Sequence, residues 1–273
     1  MTPTLIDDAL HLRVLTAQVI DIHRTWNTQD VCSPYWRFYV NNIDGAELVL
    51  AKGVRHRLTA QHLHLVPAWV PFSCHNTVAI DHLYIHFEVC GIPGAVVREV
   101  FPRPIAVRLD PSMQRACSHL HDTIHESQNA PATHLCQVKS VLYSALAQVF
   151  AGLSAKNVHS CYGDRSARAI IAPALTLIAD RYHETLGNVA LAKACQLSPD
   201  HLIRLFRSII GQTPAQYVQE QRLAAAAQRL LFSSESIERI AEDCGFGDRF
   251  YFTRAFRRRM GLPPAAFRLR GHI

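Results

Sequence analysis

The 273-residue sequence predicts a two-domain α+β protein: an N-terminal antiparallel β-barrel with accompanying helices, then an all-α domain with two helix-turn-helix units. Three observations predict it. The same structural phrase occurs twice between Val189 and Phe267. Short β-type runs separated by turn residues occupy Tyr35 to Val107, and positive charge gathers in the C-terminal part.

Residues 1 to about 30 form a mixed leader with strand-like pieces at Arg13–Leu15 and Gln18–Ile20. The runs Trp36–Val40, Ala46–Ala51, Val54–Leu58, His62–Val66, Leu83–Val89 and Ile105–Leu109 then read as strands, with turns at Asn41–Gly45 and Lys52-Gly53. Strands this short and evenly spaced predict a small antiparallel barrel or jelly roll. Two helices follow, Pro111–His125 and Thr133–Leu153, with a break at Ser127–Pro131. On the second, Leu135, Val138, Leu142, Ala145 and Val149 recur at 3, 4, 3, 4 spacing. Such a seam either packs on the barrel or pairs two copies of the chain. Ser154–Ser166 is polar, aperiodic and contains Gly163, so it reads as a linker. The expected division is 1–153, linker 154–166, and 167–273.

The C-terminal part opens with a helix whose buried stripe is Ile170, Ile171, Ala174, Leu175 and Ile178. Copy one of the repeat runs from Leu191 to Tyr217 and copy two from Ile240 to Phe267. Ala192 and Cys195 match Ala241 and Cys244 at an offset of 49; one residue then enters the turn, and Phe206, Gly211, Pro214 and Tyr217 match Phe256, Gly261, Pro264 and Phe267 at 50. Ser198 caps the second helix of copy one, with Pro199 at its first position, where a missing N–H costs nothing. In copy two the cap is Asp248 or Gly247. Leu202, Leu205 and Phe206, like Phe252, Ala255 and Phe256, form the apolar face. That leaves Asp200, His201, Ile203, Arg204 and Arg207 outward on one helix. On the other it leaves Arg249, Phe250, Thr253, Arg254, Arg257 and Arg258. These are mostly hydrogen-bonding or cationic groups, as contact with bases and phosphates requires. A long helix, about Pro214 to Phe232, joins the copies.

Charge supports the division. Residues 165–273 hold 16 Lys+Arg against 9 Asp+Glu, while 1–164 hold 12 against 13. Fifteen of those 16 cations are arginine, whose planar fork matches phosphates and guanine edges. With 49% apolar and 18% charged residues the chain is globular in composition. It has no run of 18 apolar residues and no signal-peptide pattern, so a soluble cytoplasmic protein with no membrane partner is expected. Eight scattered cysteines without a C-x-x-C pair read as reduced, buried thiols.

Arg222-Leu223, Ile237 with Ile240-Ala241, Gly245-Phe246, Tyr251-Phe252, Phe256, and Gly261 with Pro263-Pro264 resemble the signature of the AraC/XylS family of bacterial transcription regulators. The resemblance covers roughly the last 105 residues and implies a seven-helix domain with two helix-turn-helix units. Phe250 departs from it, standing where a polar residue is more usual. His62–Pro67 with Pro71–Ser73 resembles, more loosely, the cupin-like sensor domain of that group. The resemblance implies a sequence-specific regulator, an activator or a repressor, that binds double-stranded DNA and works with the transcription machinery. It also implies a small-molecule effector such as a sugar, and a homodimer formed through the second N-terminal helix.

Candidate effector residues are Trp36, Arg37, Phe38, Tyr39, His82, Tyr84 and His86, of which the resemblance implies effector contact near His82 and Tyr84. By period two, Trp36 and Phe38 share one strand face and Arg37 and Tyr39 the other. The alternative reading is a cupin-type metalloenzyme with an appended DNA-binding domain, for which His62-x-His64 is the attraction. That pair lacks a following glutamate, since Leu65 to Trp69 supply no ligand, and no nucleophile–base motif is present. The expectation is therefore no enzyme activity, no cofactor and no metal.

Overall fold

Alternating burial organises the first half of the chain. In the computed structural model, which describes residues 10–23, 26–124, 131–162 and 165–270, Leu83, Ile85, Phe87 and Val89 are buried, with Tyr84, His86 and Glu88 half-buried between them. That is the two-sided pattern of a strand with a different environment on each face. The chain divides into two compact units, Met1–Val158 and His159–Ile273.

In the N-terminal unit, β1 (His11–Ile22), β2 (Trp36–Asn41), β5 (His62–Val66), β7 (Ile80–Cys90) and β8 (Ile105–Arg108) form an antiparallel sheet in the order β1-β7-β2-β5-β8. A second sheet has the order β4-β3-β6, from Arg55–Leu58, Ala46–Val49 and Ser73–Asn76. The expected closed barrel is thus corrected to two open sheets. They pack across a shared core that includes Ile22, Trp26, Tyr39, Leu48, Leu58, Val66, Phe72 and Ile80. The turn after β2, with Gly45 at φ 140, carries the chain into the other sheet instead of extending the first ladder. Strands of only four residues in the smaller sheet offer too few ladder bonds to close the gap.

Several element bounds differ from expectation. The two strand-like pieces of the leader are one 12-residue strand, β1, with a register shift between Val14 and Thr16; residues 1–9 lie outside the described ones. The run expected at Ala46–Ala51 ends at Val49 and passes into a 3-10 turn, Ala51–Gly53. Strand β6 and helix α1 (Gly94–Val100) carried no recognisable pattern: β6 is short and polar, and α1 has no side-chain cap. Helix α2 (Pro111–Thr123) is capped by Asp110, which accepts from the N–H groups of Ser112 and Met113 at 2.9 and 2.8 Å. The expected break between the two helices falls largely on residues 125–130, outside the described ones.

On helix α3 (Pro131–Ala151) the seam takes the first of its two readings, packing within the unit. Val138, Leu142, Ala145 and Val149 are buried within the unit, and of the five only Leu135, 42% exposed, faces outward. The spacing is that of a helix lying on the sheet. Helix α4 (Ala155–Tyr162) lies within the segment read as aperiodic linker. Ser154 Oγ accepts from the Asn157 N–H at 3.3 Å, an N-cap that the polar composition masked.

The C-terminal unit contains α5 (Arg165–Arg181), α6 (Asn188–Ala194), α7 (Pro199–Ile210), α8 (Pro214–Phe232), α9 (Ile237–Asp243), α10 (Arg249–Met260) and α11 (Pro264–Arg270). The joining helix α8 has the expected bounds and begins with a capping box between Thr213 and Gln216. One core gathers Ile171, Ala174 and Ile178 of α5 with Leu191, Ala192, Leu202, Phe206, Ile210 and Val218. Ile170, expected in that stripe, is 46% exposed, one helical position off the buried line. The second core is aromatic, with ring centroids 4.9 Å apart for Phe246–Phe252, 5.4 Å for Phe252–Phe256 and 5.2 Å for Phe256–Phe267. No described helix is long and apolar enough to cross a membrane.

Candidate nucleic-acid interface and inter-sheet site

The two copies use the same local chemistry. Ser198 caps α7 through the His201 N–H, and Asp248 caps α10 through the N–H groups of Phe250 and Tyr251 at 2.9 and 3.1 Å. Each helix ends on a left-handed glycine, Gly211 at φ 78 and Gly261 at φ 80, which supplies the stop that a side chain would resist. Within each preceding turn the same position also has positive φ: Gln196 at 57 and Gly245 at 82. Position for position, α7 and α10 are therefore equivalent helices, and Arg204 and Arg254 occupy equivalent places.

Burial sorts the candidate contact residues. Asp200, His201, Arg204, Arg207, Arg249, Phe250, Arg254, Arg257 and Arg258 are exposed, while the equivalent pair Ile203 and Thr253 is half-buried. Phe250, 72% exposed at the start of α10, stands where Asp200 stands on α7. Arg249 pairs with Glu238 across the turn.

Most other arginines of this unit hold it together. Arg229 binds Glu235 and Asp243, keeping the Glu235 carboxyl down at about 2 chiefly through that hydrogen bond. Arg259 reaches Glu220 at 2.7 Å, whose second oxygen accepts from Gln212 at 3.0 Å, so the third member of the arginine run points inward. Among the described residues, Arg204, Arg207, Arg254, Arg257 and Arg258 make no ion pair. Five cations thus remain open on the outward faces of two equivalent helices.

Three residues that the sequence reading did not assign to this site brace the copies against each other. Arg222 of α8 donates from Nε to the Tyr182 carbonyl and from Nη2 to that of Glu184, both at 2.7 Å. Gly245 packs against the backbone of His183 in the same loop. Gln219 of α8 donates to the Tyr251 hydroxyl of α10 at 3.0 Å. An arginine inside an alanine-rich helix was the available signal, but its carbonyl partners lie about 40 residues away and leave no trace in spacing.

The arginine run gives a first expected result. Arg258 stands near the C-terminal end of α10, away from the N-terminal end that a recognition helix turns to the bases. Arg258→Ala should weaken binding to all DNA sequences alike and reduce the slope of log affinity against log salt by about one unit. Titration at several salt concentrations checks this; a changed base preference would reassign the residue.

In the N-terminal unit, Arg37 and Tyr39 of β2 and His82, Tyr84 and His86 of β7 share the face between the sheets. Arg37 lies opposite His86, and Tyr39 opposite Tyr84. Trp36 and Phe38 lie on the other face; Trp36 packs on Phe87 and Phe101, and Phe38 is fully buried. The pleat thus sets Trp36 and Phe38 apart from the other five candidates, as period-two alternation along β2 predicts.

Hydrogen bonds hold His56, His62, His64 and His82. His64 Nε2 lies 3.2 Å from the Thr59 carbonyl, which only accepts, so His64 carries its proton there and its Nδ1 accepts from His56 Nε2 at 3.0 Å. His62 Nδ1 lies 2.9 Å from the Thr59 hydroxyl. Asn41 donates to the Leu58 carbonyl and accepts from His82 Nδ1 at 2.6 Å. Burial lowers His64 to about 4 and His82 to about 3.

Two helix-turn-helix units joined by one helix, each showing open arginines, define a nucleic-acid-binding domain of the helix-turn-helix class. Residues 191–270 match the family described as a helix-turn-helix domain. The MmsAB operon regulatory protein of Pseudomonas aeruginosa is 35% identical over 91 residues, 33% of this chain and 30% of that protein. The HTH-type transcriptional activator RhaS of Escherichia fergusonii is 32% identical over 106 residues, 39% of this chain and 38% of that protein. The chain spans about a third of the length of these relatives. Unsaturated fatty acid-bound ToxT of Vibrio cholerae shares the fold with a TM-score of 0.54 at 13% identity, over 97% of each chain. Residues 191–270 form a helix-turn-helix domain, similar in sequence to those of these two regulators.

Proposed function

We propose that the protein is a ligand-responsive, sequence-specific transcription regulator. The observation that carries this reading is the set of open arginines at matching places on α7 and α10. Two equivalent helices enter successive major grooves, about 34 Å apart on one face of DNA, and the bracing by Arg222 and Gly245 keeps their spacing fixed. Arg204 and Arg254 read base edges, together with residues near the N-terminal end of each helix, and Arg207, Arg257 and Arg258 engage phosphates.

The effector-binding part is assigned to 1–153 and the DNA-binding part to 167–273. A small effector lodges between the two sheets, against Arg37, Tyr39, His82, Tyr84 and His86. ToxT, of the same fold, binds an unsaturated fatty acid, which supports a ligand site in this architecture. Cytoplasmic location, homodimerisation and contact with the transcription machinery belong to the same proposal, the dimer contact lying elsewhere than the buried α3 seam. A metalloenzyme is the weaker reading: the ring nitrogens of His64 are both engaged, and His62 is held by Thr59. The test is binding-site selection with the full-length protein. It should return two short blocks of preferred bases about one helical turn apart; a single block, or none, would contradict the double-groove reading.

A further inference from the structure

Arg37 is only 7% exposed, and a buried guanidinium is costly unless an anion compensates it. Among the described residues no carboxylate is a partner of Arg37. Nη2 donates to the Ser33 hydroxyl at 2.7 Å and, weakly, to that of Tyr35 at 3.4 Å, while Nε and Nη1 have no partner among the described residues. The rings of Tyr35 and Phe72 lie 4.8 and 5.3 Å from its carbon, a cation–π arrangement with no formal negative charge. Burial also disfavours a negative charge beside it, pushing the Cys74 thiol up to about 12 and the Tyr39 phenol upward. His86, opposite Arg37 in the sheet, is held neutral by burial and by the nearby guanidinium.

A second feature points to the same place. The buried Nδ1 of His86 has no hydrogen-bond partner, and its ring lies 4.9 Å from those of Tyr35 and Tyr84. Buried polar atoms are normally paired, so an orphan next to an uncompensated cation marks a site shaped for something else. His86 and Tyr84 are half-buried, so the cluster is open to solvent on their side. The loop carrying Ser33 is pinned by the Trp69 N–H at 2.8 Å, from a residue held at φ 69, and such strain tends to gather at binding sites.

We infer that the inter-sheet site takes a small monocarboxylate, with Arg37 as its counter-ion through the Nε–Nη1 edge, and the rings of Tyr84 and His86 against its apolar body. A planar carboxylate matches two parallel N–H groups of a guanidinium, which a neutral sugar or amide does not. This rests on the reading of the N-terminal unit as effector-binding and names the chemistry of that effector.

The experiment is thermal melting of the full-length protein with hexanoate and with phenylacetate, each against its primary amide at matched ionic strength. At least one acid should raise the melting temperature by roughly 3 °C or more at saturating concentration, with no effect of its amide. Arg37→Met should abolish the response and Arg37→Lys, which keeps the charge, should retain part of it. If Arg37→Met fails to fold, the acid–amide contrast and the lysine variant carry the test. Equal shifts from acid and amide would leave an effector site standing and overturn its anionic character. Silence from both acids, or a full response in Arg37→Met, would overturn the inference outright. None of these outcomes touches the DNA-binding reading, which the site selection decides separately.

Discussion

Below pH 6.5 the N-terminal unit is expected to lose stability at about 4 kcal/mol per pH unit, about 1.36 from each of the buried neutral histidines His64, His82 and His86. His64 and His82 are almost fully buried and titrate at about 4 and about 3, against 6.5 in the unfolded chain. A lowered histidine pKa means that the unfolded chain binds protons first. Stability is therefore complete above pH 6.5 and falls as pH drops, until the folded state itself protonates near 4. Around His64, His56 and His62 oppose protonation and Asp44 favours it, while His64 itself opposes protonation of His82. All three tryptophans, Trp26, Trp36 and Trp69, lie in this unit, so their fluorescence during denaturant unfolding reports on it alone. His82→Gln should remove about a third of the slope. A midpoint unchanged between pH 7 and 5 would mean that these rings protonate in place.

Gly245→Ala is expected to destabilise the C-terminal unit by about 2–5 kcal/mol, combining left-handed backbone strain with overpacking. An added Cβ would lie 2.9 Å from the Cα and carbonyl carbon of His183 and closer still to its oxygen, and Gly245 has φ 82. The other copy supplies the control. Gln196 holds the equivalent turn at φ 57 with a full side chain, so positive φ alone is tolerated in this motif. Close approach is what demands glycine at 245. Gln196→Gly should therefore change stability by less than about 1 kcal/mol. Melting followed by circular dichroism compares the two; equal effects would show that the His183 contact does not matter. Because that loop also accepts both Arg222 hydrogen bonds, Gly245→Ala should lower DNA affinity as well, by shifting one helix-turn-helix unit against the other.

The C-terminal unit was more legible in the sequence than the N-terminal one, for a physical reason. Caps, left-handed glycines and an i, i+3, i+4 apolar face are local features, so Ser198, Gly211, Phe206 and their partners Asp248, Gly261 and Phe256 announce their roles in order. The bounds of α8 followed from Pro214 and the alanine run. What failed was non-local. Whether the strands close into a barrel depends on which edges meet, and nothing in the pattern of Ala46–Val49 or Ser73–Asn76 states that. The α3 seam showed its spacing but not what covers it. At the interface, exposure of Arg204 and Arg254 followed from helical periodicity, whereas the inward turn of Arg259 depends on Glu220, 39 residues away.

The central claim is that two equivalent helices read two separate blocks of DNA, and base-preference profiles of Arg204→Ala and Arg254→Ala test it most directly. Each variant should lose about 1–3 kcal/mol of specific binding, the worth of a bidentate arginine–base contact, and should relax preference in one block only. The two relaxed blocks should differ and lie about one helical turn apart. If both variants relax the same positions, or if both keep wild-type affinity and preference, the two helices do not read DNA as equivalent partners and the account fails.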